Sequence, residues 1–143
     1  MQMGDTYMKL VSAPAAAVAL ALLSQPVLAQ TKSDVHFEAG NYGTMVTGTV
    51  VGDAYVDYML GAKAGQEMFV ELTVADTNGS GTVYFNILPP GSTGEAIYNS
   101  SMDGNSTVVD LPADGEYAIR VYQMGNDKDA GKTSDFRMDL SIQ

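Results

Sequence analysis

The C-terminal stretch limits what this chain can fold into more than any other segment. Phe136, Met138, Leu140 and Ile142 alternate with Asp135, Arg137, Asp139 and Ser141. In an extended chain, a period of two puts all the apolar side chains on one face and all the polar ones on the other. The segment therefore reads as a strand with one dry and one wet face, and a sheet of such strands has to hide its dry face against a second layer.

The same alternation recurs upstream. Val56, Tyr58, Leu60 and Ala62 share one face, and Tyr55, Asp57, Met59 and Gly61 the other. Met68, Val70, Leu72 and Val74 then alternate with Glu67, Phe69, Glu71 and Thr73. Ala64-Gly65-Gln66 between the two runs reads as a tight hairpin connection, so these strands are expected to pair. Val83 to Leu88 reads as a short buried strand stopped by Pro89-Pro90-Gly91, and Ala96 to Tyr98 as a shorter one. Thr107 to Leu111 leads into the turn Pro112-Ala113-Asp114-Gly115. After that turn Tyr117, Ile119 and Val121 face inward while Arg120, Tyr122 and Met124 face out. Adding Met45 to Val51 and a weak Val35 to Phe37 gives about eight mostly antiparallel strands. The expected fold class is all-β: a single compact β-sandwich or barrel.

Residues 1–29 have the pattern of a cleaved signal peptide: Lys9, then the apolar run Leu10 to Leu23, then Val27-Leu28-Ala29. Met8 is the expected start of translation, and residues 30–143 are expected to form the single domain. The apolar run is too short for a membrane span and is punctuated by Pro14 and Pro26. A formal charge of −10 from 17 acids and 7 bases argues against nucleic acid, which needs clustered Lys and Arg. It suits solubility and attraction to cationic partners. With no cysteine, the core must hold the domain without disulfides.

His36 is the only histidine, so a zinc site lacks its ligand set. A Ser-His-Asp triad would depend on that one residue, without a Gly-x-Ser-x-Gly elbow. Asp53, Asp76, Asp103 and Asp114 are explained as turn formers. Asn126-Asp127-Lys128-Asp129-Ala130-Gly131 offers oxygen ligands for calcium but fails the EF-hand spacing. No catalytic residue, metal or cofactor is expected. A module binding carbohydrate or calcium through the loops Asp76 to Gly81 and Gly125 to Lys132 stays open as the alternative, and the oligomeric state is open too.

Tyr55 and Asp57 on one strand, and Arg120 and Tyr122 on another, form the candidate binding surface. Tyr and Arg dominate binding hot spots. If the two strands are neighbours, Asp57 orients Arg120 through a charge-assisted pair and the tyrosines flank it as an amphipathic platform.

Several segments carry a resemblance: Tyr55-Val-Asp-Tyr58, Ala62-Lys-Ala-Gly-Gln66, Tyr84-Phe-Asn-Ile-Leu-Pro-Pro-Gly91 with Glu95-Ala-Ile97, and Leu111-Pro-Ala-Asp-Gly115 followed by Tyr117-Ala-Ile-Arg-Val-Tyr122. In this order and spacing the chain resembles the periplasmic inhibitors of g-type lysozyme. Some of the turns are also similar to those of pre-peptidase C-terminal sandwich domains. The resemblance implies a periplasmic or secreted β-sandwich, not an enzyme, that blocks the active-site cleft of a lysozyme, a cationic protein partner. It also implies that Tyr58, Tyr117 and Arg120 stand at family positions, with Arg120 as a contact. The loop after that strand departs from the family's basic one: here Met124-Gly-Asn-Asp-Lys-Asp-Ala130 leaves Lys128 and Lys132 among acids, and Lys128 joins the candidate contacts.

Overall fold

A computed structural model describes residues 30–143, so the expected signal peptide lies outside the described residues. Among the described residues nine strands run in the order β1 (Gln30–Asp34), β2 (Gly43–Val51), β3 (Tyr55–Ala62), β4 (Glu67–Thr77), β5 (Val83–Leu88), β6 (Tyr98–Asn99), β7 (Ser106–Asp110), β8 (Gly115–Gln123) and β9 (Thr133–Ile142). Two short helices interrupt them: α1 (Ser100–Asp103) and α2 (Gly125–Asp129). The strands form a five-stranded sheet, β1-β3-β8-β5-β6, and a four-stranded sheet, β2-β9-β4-β7. These remain two separate sheets, so the fold is a sandwich and not a barrel. Every pairing is antiparallel except that of β1 with β3.

The period-two pattern is what fills the space between the sheets. Tyr117, Ile119 and Val121 of β8 and Val83, Phe85 and Ile87 of β5 meet Met68 and Val70 of β4 and Phe136 and Met138 of β9, all at 1% exposure or less. Packing between the sheets is close at Gly48 of β2. A Cβ there would meet the Tyr58 hydroxyl and come within 2.7 Å of Phe136 Cζ, so glycine is what lets the edge-on Tyr58–Phe136 pair, 6.1 Å between centroids, slide beneath β2.

Two expectations are corrected. β3 and β4 do not pair: β3 lies between β1 and β8, while β4 lies between β9 and β7. The Ala64-Gly65-Gln66 turn is a corner between sheets. Gly65, at φ 86°, donates its N–H to Leu111 O at 2.9 Å, and Ala64 N–H donates to Asp114 Oδ1 at 2.7 Å. Those contacts tie the corner to the β7–β8 crossing and not to a hairpin ladder. The first strand is also earlier than Val35 to Phe37. It runs Gln30–Asp34, because its hydrogen bonds go to the edge of β3, which needs no apolar alternation, while Val35 and Phe37 turn in against the core.

Candidate functional site

The outer face of the five-stranded sheet carries the site, and the strand register builds it. Asp57 of β3 stands opposite Arg120 of β8, and Arg120 stands opposite Asn86 of β5. Two residues further along each strand, Tyr122 stands opposite Tyr84. Tyr55 precedes Val56, the partner of Val121, and so lies level with Tyr122. A tyrosine row thus runs beside a row of Asp57, Arg120 and Asn86.

Within those rows Arg120 is fixed on two sides. Its Nε donates to Asp57 Oδ1 at 2.8 Å and its Nη2 to Asp57 Oδ2 at 3.0 Å, a fork-to-fork pair. Its Cζ lies 4.1 Å from the centroid of the Tyr55 ring, within cation–π range. The hydrogen bonds to Asp57 raise the Arg120 pKa above its ordinary value, against the opposing effect of burial. Asp57 is only 3% exposed although it lies on the outward face. A carboxylate removed from water needs a partner, and Arg120 supplies it. Tyr122 donates its hydroxyl to Asn86 Oδ1 at 2.9 Å. Asp53, Tyr55, Asn86, Arg120, Tyr122 and Lys128 line a shallow depression of about 360 Å³. A larger hollow, about 450 Å³, lies in the loop from Pro89 to Ile97, where Glu95 is the only ionisable side chain in its wall.

The loop that brings Lys128 to the depression is held by Asp127. Its Oδ1 accepts from Ser80 N–H at 2.9 Å, and its Oδ2 accepts from Thr82 N–H at 2.9 Å and Thr82 Oγ1 at 2.7 Å. These bonds to the charged form hold the Asp127 carboxyl below its ordinary value of 3.8. A Cβ on Gly79 would collide with the same carboxylate. The segment that offered oxygens for calcium is therefore folded as α2, with its buried acid occupied by β4–β5 loop donors. Among the described residues no group of three or more His, Cys, Asp or Glu is placed to hold a metal.

Of the sequence-predicted site residues, Tyr55, Asp57, Arg120, Tyr122 and Lys128 come together. Tyr58 and Tyr117 do not. They are 5% and 0% exposed, because even-numbered positions of β3 and odd-numbered positions of β8 point between the sheets. Tyr117 holds the Pro112-Ala113-Asp114 turn, its hydroxyl donating to Ala113 O at 2.7 Å and accepting from Ala113 N–H at 3.1 Å. Burial raises the Tyr58 pKa. As contacts for a partner, both are corrected to core positions. Asn86 was missed. Its signal was the alternation of Tyr84 and Asn86 against Val83, Phe85 and Ile87, which a reading of the whole segment as buried conceals.

A two-sheet sandwich that holds an arginine against a carboxylate and a tyrosine ring on one outer face defines the class, a β-sandwich domain with an ordered polar face. The comparisons with known proteins narrow that class. No family model matches the chain. The inhibitor of g-type lysozyme from Escherichia coli strain K12 is 31% identical over 137 residues, spanning 95% of this chain and all of that one. The chain belongs to the family of g-type lysozyme inhibitors. The crystal structure of the periplasmic inhibitor of g-type lysozyme from Aeromonas hydrophila superposes with a TM-score of 0.72 at 33% identity, over 80% of this chain and 98% of that one. The Salmonella Typhimurium counterpart shares the fold, with a TM-score of 0.63 at 24% identity, over 79% of this chain and 98% of that one.

Proposed function

We propose that this protein is a periplasmic inhibitor of g-type lysozyme, exported by a signal peptide in residues 1–29 and acting through residues 30–143 as a protein ligand that occludes the enzyme's cleft. The relatives are inhibitors, and a non-catalytic role goes with that reading. The observation that carries it is the Asp57–Arg120–Tyr55 assembly in a member of this family. A guanidinium has five N–H donors. The fork to Asp57 uses one on Nε and one on Nη2, which leaves the Nη1 edge for a second carboxylate. A lysozyme cleft supplies carboxylates and sugar-binding surface, so an arginine held ready to pair with one of them excludes substrate while contributing no chemistry.

The test is inhibition of purified g-type lysozyme, with c-type and i-type enzymes alongside, at two salt concentrations. Inhibition of the g-type enzyme is the expected result. Unimpaired turnover of all three at excess protein would refute the reading.

A further inference from the structure

The Arg120 row continues past Asp57 onto the edge strand. β1 pairs with β3 in parallel register, and the residue opposite Asp57 is Lys32. Residues paired across a ladder point to the same face and lie about 4.8 Å apart per strand. Lys32 therefore stands one strand out from the Asp57–Arg120 pair, on the same outer face, and it is exposed. Among the described residues it makes no ion pair, since Asp57 is bonded to Arg120 and the other pair is Arg137 with Asp139.

Bases are unevenly shared between the two outer faces, the four-stranded one holding Arg137, which is paired with Asp139. Of the 7 Lys and Arg in the chain, Lys32, Arg120 and Lys128 border the same surface. The outer face of the four-stranded sheet instead sets Glu67 opposite Asp110 and Glu71 opposite Asp139. A chain of net charge −10 is drawn as a whole to a cationic partner, and at the partner's own carboxylates the repulsion is local and is relieved by a nearby base. Lys32 and Lys128 are the bases there not already paired, set among Asp53 of the same depression and Asp34 on the same side of β1.

We propose that Lys32 is a specificity-determining contact residue: the docking surface extends over β1, and Lys32 faces an anionic group of the target, a carboxylate beside the one that Arg120 engages. This rests on the lysozyme-inhibitor reading. Its energetic signature is that of a rim charge, acting mainly on association rate and weakening with salt.

The experiment measures association rate and Kd of the purified protein with g-type lysozyme for the unaltered chain, Lys32→Glu and Lys63→Glu, at roughly 50 mM and 500 mM salt. Lys63 is exposed in the β3–β4 turn, at the other end of β3, and makes the same charge change away from the site. Lys32→Glu is expected to raise Kd about tenfold at low salt, mostly through slower association, and about twofold at high salt, with Lys63→Glu within about twofold throughout. Equal effects of the two variants at low salt overturn the assignment while leaving the inhibitor reading standing. Absence of binding by the unaltered protein removes both. Circular dichroism checks each fold. If Lys32→Glu loses its strand signal, Lys32→Gln replaces it, with about a threefold rise in Kd expected at low salt and no change overturning the proposal.

Discussion

The outer faces of the two sheets follow the same period-two rule, yet their side chains are paired in opposite ways. On the five-stranded sheet unlike groups face each other: Asp57 opposite Arg120, and Arg120 opposite Asn86. On the four-stranded sheet like charges face each other: Glu67 opposite Asp110, Glu71 opposite Asp139, and Asp76 opposite Asp135. Like charges directly across a ladder are destabilising and unlike ones stabilising. One face is therefore organised around a carboxylate drawn out of water by its partner, and the other is more exposed, its acids relieved by water, by the Thr49 and Ser106 hydroxyls that donate to Asp135 and Glu71, and by the exposed Arg137–Asp139 pair. An exposed polar face is thus no sign of function by itself. What distinguishes the site is a bidentate pair whose carboxylate is buried on an outward face.

The largest expected effect separates the faces most directly. Arg120→Ala should weaken inhibition by about 2 kcal/mol, the loss typical of a hot-spot residue, and should also lower the melting temperature, because it leaves the buried Asp57 carboxylate without its partner. Unchanged inhibition would mean that the ordered face is ordered for stability alone. Asp57→Asn, which keeps the shape and removes the charge, should cost about 1–2 kcal/mol of stability by urea titration, because charge-assisted bonds are lost at a buried position. It should also weaken inhibition although Arg120 is still present.

Asp127→Asn tests the end of the sandwich where the loops meet. The Asp127 pKa is lowered in the fold, so its contribution to stability is complete above the ordinary carboxylate value of 3.8 and is lost as pH falls through the depressed one. The unaltered protein should lose melting temperature across that acid window more steeply than the Asn variant, and parallel curves would show that the clasp is not linked to folding. The smallest effect belongs to the solvated face. Glu67→Lys turns a like pair into an unlike one and should stabilise by a few tenths of a kcal/mol, with inhibition unaltered.

Strand faces were legible in the sequence because alternation is local. The outward placement of Asp57 and Arg120 could be read residue by residue, and their pairing followed once β3 and β8 proved to be neighbours. Sheet membership was not legible. Ala64-Gly65-Gln66 has the composition of a hairpin, and nothing within a few residues of it reveals that its hydrogen bonds go to Leu111 and Asp114. The edge strand was hidden for a different reason. Gln-Thr-Lys-Ser-Asp has no apolar alternation, since one ladder on the edge of β3 holds it in place, and Lys32 was overlooked with it. The burial of Tyr58 and Tyr117 shows that a position implied by a resemblance need not be available to a partner.

Arg120 is gripped by Asp57 along one edge and by the Tyr55 ring on one flat side, on a strand in the middle of its sheet and not on a loop. Ordering such a side chain at an interface normally costs about 0.5–1.5 kcal/mol, and here that ordering takes place when the domain folds. The protein should therefore meet its partner as a rigid body, and the free and complexed proteins should superpose at this arginine without a change of rotamer.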